Sequence, residues 1–99
     1  MFYSIATGER RSSEGVFWKE VDEGWIRYEE HSGNTQLINP LARFIIDLID
    51  RSVEPLSIPD IANEVLLAEP DTEPSTCLVE VVAVLRTLSE AQLILAVRP

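Results

Sequence analysis

Three kinds of side chain in this sequence are equipped for chemistry: a single histidine, a single cysteine and an excess of carboxylates. His31 stands between Glu29-Glu30 and Ser32-Gly33-Asn34 with no cysteine or second histidine at ligand spacing, which fits a turn position better than a metal site. Cys77 falls near a helix start, but no base stands near it in sequence to complete a Cys-His nucleophile pair. It reads as a packing or surface thiol. Asp22-Glu23, Glu29-Glu30 and Asp71 with Glu73 are acids in turns and on exposed strand faces rather than a general acid and base. No glycine-rich phosphate loop, zinc motif or nucleophile elbow occurs, so the expectation is a non-enzyme with no catalytic residue, no metal and no cofactor.

Charge narrows the partners. Seventeen acidic residues against 8 basic ones give a net charge of −9 over 99 residues, a field that repels phosphate backbones and attracts basic surfaces. Nucleic acid is therefore an unfavourable partner. With Cys77 alone no internal disulfide forms, and a reducing cytoplasm fits. The N-terminus shows no signal-peptide pattern, and no apolar run approaches the roughly 20 residues that a membrane span needs, so no membrane role is expected.

The elements that must position any site follow from periodicity. Hydrophobic residues at 45% and one modest core are what a single domain of this length provides. Residues 1–15 are expected to form a mobile segment or an extra strand, with Gly8 to Gly15 as the mobile part. Val16 to Val21 and Trp25 to Glu29 are aromatic and β-branched runs around Asp22-Glu23-Gly24, a β-hairpin pattern. Ser32-Gly33-Asn34 turns the chain into Thr35-Gln36-Leu37-Ile38, which completes a three-stranded meander.

Asn39 and Pro40 then suit the cap and first position of a helix running to about Asp50. Its apolar side is Leu41, Phe44, Ile45, Leu48 and Ile49, with Arg43, Asp47 and Asp50 opposite. Ser57 and Asp60 form an imperfect capping box for a second helix through Ile58, Ile61, Ala62, Val65 and Leu66. Past Pro70 and Pro74 a third helix begins near Ser75 or Thr76, with Leu78, Val81, Val82, Leu85 and Leu88 inward and Glu80 and Thr87 outward. Leu93 to Val97 closes the chain as a short strand or extended tail. The predicted class is α+β, a small three-stranded antiparallel sheet plus a three-helix, winged-helix-like bundle.

The stretch from Tyr28 to Ala42, which contains Ser32-Gly33-Asn34-Thr35-Gln36-Leu37-Ile38-Asn39-Pro40-Leu41, resembles the PqqD family signature of strand, Ser-Gly turn, strand and Asn-Pro-Leu-Ala helix start. Ser57 to Ala62 resembles the family's second-helix opening, and Leu85-Arg86-Thr87-Leu88 with Leu93-Ile94 its closing helix and tail. The resemblance places a PqqD-like peptide-binding domain over residues 16–97. It is nearest to the small PqqD peptide chaperones of the HPr-rel-A system, associated with an HPr-kinase-related protein. There the turn is followed by Thr-His-Leu, and Thr35-Gln36-Leu37 departs from that.

The resemblance implies a RiPP recognition element, a chaperone that captures the leader segment of a ribosomally made precursor peptide by strand addition and presents it to a modifying enzyme. The positions that match are Thr35, Gln36, Leu37 and Ile38 on the third strand, with Val79, Val82, Ala83 and Arg86 as the opposing wall on the third helix. Partners would be the leader peptide and either a modifying enzyme or the HPr-kinase-related protein, with the domain itself a monomer or a homodimer. The edge Thr35 to Ile38 carries no proline and no charge, the usual devices that blunt an open strand. Two other readings of the fold are a winged-helix transcription regulator and a regulatory subunit of an HPr-kinase-like partner. The first calls for a basic recognition helix, whereas the third helix offers Arg86 alone and the second no Lys or Arg.

Overall fold

A computed structural model describes residues 2–5, 15–30 and 32–97. The proposed mobile stretch, apart from Gly15, and His31 lie outside the described residues. The β-rich runs form the expected meander: β2 (Val16–Val21), β3 (Gly24–Glu29) and β4 (Thr35–Ile38), antiparallel in the order β2-β3-β4. Three helices follow, α1 (Pro40–Arg51), α2 (Ile58–Ala68) and α3 (Pro74–Glu90).

A second sheet was not legible in the sequence. The strand β1 (Phe2–Ile5) pairs antiparallel on one side with the two-residue β5 (Leu56–Ser57) and on the other with β6 (Ile94–Val97). Its registers, Phe2 opposite Ser57 and Val97, join the beginning, middle and end of the chain.

Local chemistry sets the helix boundaries. Asn39 Oδ1 accepts from the Ala42 N–H at 2.7 Å, and Pro40 occupies a first-turn position whose N–H would have no intrahelical partner. At α2 both arms of the capping box form: Ser57 Oγ accepts from Asp60 N–H and an Asp60 carboxylate oxygen accepts from Ser57 N–H, each at 3.2 Å. The shorter Asp thus serves where Glu is usual. At the end of α3, Leu93 N–H reaches Leu88 C=O and Gln92 N–H reaches Ser89 C=O, each at 3.0 Å. This is a Schellman closure, and Gln92 takes the left-handed position at φ 62° that glycine normally fills.

One core joins the helices to both sheets. Ile45 and Ile49 of α1, Ile61 and Val65 of α2, and Cys77, Val81, Leu85 and Leu88 of α3 are buried together with Ile38 and Ile94. The inward stripe of α3 differs from the expected one: Leu78 and Val82 are 45% and 37% exposed, and Cys77 takes the inward position. The apolar arc of this helix is wider than its neighbours can cover, and α1, α2 and β6 pack on the side centred at Val81 and Leu88. The Cys77 thiol is sealed there, 3.7 Å from Ala62 C=O.

Two backbone positions give opposite predictions. Gly24 has φ 146°, and a Cβ there would collide with the Ile38 carbonyl oxygen and crowd Asn39 Cα where β4 enters α1. Gly24→Ala is expected to cost about 1–3 kcal/mol in urea denaturation. Gln92→Gly relieves a left-handed backbone and is expected to raise stability by about 0.5–1 kcal/mol in the same measurement.

Candidate functional site

The four β4 residues divide by side-chain direction and by backbone direction. In register, Trp25 lies opposite Ile38, Ile26 opposite Leu37, Arg27 opposite Gln36 and Tyr28 opposite Thr35. Cross-strand partners share a face, so Gln36 and Ile38 project with Trp25 and Arg27 toward α1, while Thr35 and Leu37 project with Tyr28 and Ile26 away from it. Ile38 is 6% exposed and belongs to the core, so of this residue only the backbone is available to a partner.

Hydrogen bonds fix which backbone groups point outward. Glu29 N–H donates to Asn34 C=O at 2.9 Å, and Glu30 N–H donates to Gly15 C=O at 2.8 Å. Odd-numbered residues of β3 therefore bond toward β4 and even-numbered ones toward β2. In an antiparallel ladder these directions alternate, so Arg27 and Trp25 bond to Gln36 and Ile38, and Thr35 and Leu37 turn their N–H and C=O to the far edge. Among the described residues no strand pairs with that edge. The opposite edge, on β2, carries Lys19 and Glu20, as edges that avoid pairing commonly do. Edge strand β6 is also uncharged, but in sequence it runs into Arg98-Pro99.

On α3 the predicted wall residues are open to solvent. Val79 is 69% exposed and Val82 37%, and Ala83 and Arg86 are exposed as well. With Leu78 they occupy the flank next to the buried stripe of Val81 and Leu85. That stripe and Ile38 of β4 lie in the same core, which ties the flank and the strand edge to one rigid unit.

The sheet is held to α1 by a contact the sequence reading placed wrongly. Arg43 was expected on the solvent side of the helix. Its guanidinium instead lies 4.0 Å from the Trp18 ring centre and 4.4 Å from that of Trp25, and it also pairs with Asp47 at 3.1 Å. Trp18 and Trp25 meet edge-to-face at 6.5 Å, and buried Arg27 lies 5.9 Å from Trp18 while bonding Glu29 at 3.0 Å. Two buried polar atoms at this seam, Gln36 Oε1 and Arg43 Nη1, accept and donate no hydrogen bond. For Arg43 the indole faces stand in for a polar partner. Helical periodicity cannot reveal this, since the sheet covers a side of α1 that the pattern marks as polar.

Chemically, the site offers unpaired backbone donors and acceptors, an apolar helix flank and one cation. Among the described residues no group of three His, Cys, Asp or Glu side chains converges as a metal ion would require, and no helix is long and apolar enough to cross a membrane.

The model of the PqqD family, described as coenzyme PQQ synthesis protein D, matches residues 24–94. The chain belongs to the PqqD family. The match runs from the start of β3 to the first residue of β6, so the β4 edge and the whole of α3 lie within it, whereas β1 and β2 lie outside. No curated relative matches the sequence. Two solved structures share the PqqD-like fold. One is a lasso peptide synthetase B1 complexed with the leader peptide, with TM-score 0.59 and 20% identity over 97% of this chain and 100% of that one. The other is TbiB1 in complex with the TbiA(beta) leader peptide, with TM-score 0.59 and 16% identity over 88% of this chain and 96% of that one. At these identities the likeness is one of fold.

Arg43→Ala removes the cation between the two indoles. The variant is expected to lose about 1–2 kcal/mol of stability and to shift tryptophan emission to longer wavelength as water reaches the rings, both readable in one fluorescence-monitored urea titration.

Proposed function

We propose that this domain is a non-catalytic chaperone that captures the leader segment of a ribosomally made precursor peptide and presents it to a modifying enzyme. The observation that carries the reading is the unpaired edge of β4, where Thr35 and Leu37 turn their backbone groups outward in a domain whose α3 also carries an open apolar flank. A peptide strand laid on that edge gains backbone hydrogen bonds that are indifferent to its sequence, and side chains set against Val79, Val82 and Ala83 supply selectivity. Arg86 adds one positive charge for an acidic residue of the peptide. Membership of the PqqD family supports the reading, as do two complexes of the same fold that hold leader peptides.

The strand directions make Leu37→Pro an informative substitution. The N–H it deletes points to the open edge and not into the β3–β4 ladder, where proline is least disruptive. Calorimetric titration with a leader peptide that the wild-type chain binds is expected to show about a tenfold loss of affinity, the equivalent of one to two backbone hydrogen bonds. Arg86→Glu is expected to weaken an acidic leader about three- to tenfold at low salt, with the difference shrinking as ionic strength rises. Circular dichroism should be unchanged for both. Amide shifts that cluster on Leu95 to Val97 or on α2, with neither substitution altering affinity, would place the peptide elsewhere.

A further inference from the structure

The face of the β2-β3-β4 sheet that turns away from α1 exposes several large apolar side chains. An antiparallel sheet packed on one side is ordinarily apolar inward and polar outward. Here the inward face carries Arg27 and Gln36 among Trp18, Trp25 and Ile38, while the outward face carries Phe17, Ile26, Tyr28 and Leu37 beside Lys19 and Thr35. Phe17, Tyr28 and Leu37 are 55%, 40% and 59% exposed, and the Phe17 and Tyr28 rings stack at 6.3 Å. Contiguous apolar surface of this kind marks a contact site more often than free surface.

We propose that this face docks a second, folded protein whose contact surface has an apolar centre and a basic border: the enzyme that acts on the peptide held at β4. The inference rests on the peptide-binding reading given above. Charge selects the occupant. Exposed Asp22 and Glu23 lie at one end of the face and exposed Glu30 at the other, within a chain of net charge −9. A second copy of the chain would bring these acids against their own kind, whereas a basic border complements them.

Continuity supplies the link to the peptide. Thr35 and Leu37 offer their backbone to the open edge and their side chains to this outward face. A strand added at β4 would lay every second side chain on the same face. A protein seated there therefore touches both the domain and the outward side of the captured peptide, and each of the two should tighten the binding of the other.

The test uses the full chain, a candidate peptide-modifying enzyme from the same genome and a leader peptide that the chain binds, with affinities read by calorimetry. Phe17→Ser is expected to weaken enzyme binding about tenfold and to change leader affinity less than twofold. Lys19→Glu, which turns the cation on this face into an acid, is expected to tighten the enzyme. Adding leader should raise enzyme affinity. Unchanged enzyme affinity in Phe17→Ser with leader binding intact overturns this inference and leaves the peptide reading standing. A wild-type chain that binds no leader overturns the peptide reading itself. Weakening by Lys19→Glu overturns the basic border, and a wild-type dimer in sedimentation that Phe17→Ser dissociates gives the face to a second copy, which overturns the proposal.

Discussion

A guanidinium held against two indole rings fastens the three-stranded sheet to the helical core, and the position of the open edge depends on it. The β2-β3-β4 sheet reaches the core through few aliphatic residues, Ile38 being its one fully buried hydrophobic side chain. Its inward face also carries Trp18, Trp25, Arg27 and Gln36 with Val16, Glu20 and Glu29, a set that packs well only if its charges are matched. Arg43 meets both indoles, Arg27 is paired with Glu29, and the aliphatic parts of both arginines fill space that leucine would otherwise occupy. Such a seam is geometrically demanding, because a cation has to sit over the ring face to be stabilised by it. It fixes the tilt of β4 relative to α1, and through the shared core it fixes β4 relative to α3.

The second sheet solves a different problem. Its strands come from the two ends of the described chain and from the α1–α2 connection, so forming it closes long loops and carries an entropic cost that grows slowly with loop length. The return is that α1 and α3, the second of which carries one wall of the candidate site, are tied together through this sheet. Ile94 brings β6 into the core, and the Schellman closure at Gln92 aims the chain from α3 directly into that strand.

The legible part of this fold was the part written in local patterns. Asn39-Pro40, Ser57 with Asp60, and the turn around Gly33 gave the meander and the helix starts to within a residue or two, because caps and turns are made by neighbours in sequence. The pairing of Phe2–Ile5 with Leu56–Ser57 and Ile94–Val97 was hidden, since two- and four-residue strands carry too little periodicity to name their partners. Arg43 was placed on the wrong side for a related reason: a helix pattern separates apolar from polar but not solvent from an aromatic platform. On α3 the apolar arc was visible but its covered half was not, so Leu78 and Val82 were assigned inward and Cys77 left undecided. The predicted site residues were taken from family resemblance, and the alternation of backbone direction that singles out Thr35 and Leu37 emerged only from the hydrogen bonds.

An unprotected strand edge is a hazard as well as a site, and the charge distribution bears on both. Strand β2 interrupts its own edge with Lys19 and Glu20, whereas β4 has no such device. What stands in for it is long-range: at net charge −9, two copies approaching edge to edge repel. Repulsion between whole molecules discourages self-pairing without placing any charge on the four residues Thr35 to Ile38. The same logic applies to the outward apolar face, whose acids sit at its ends and leave its centre clear. An acidic surround thus leaves an open strand edge and an exposed apolar face, joined through Leu37, uncovered in a chain whose copies repel one another.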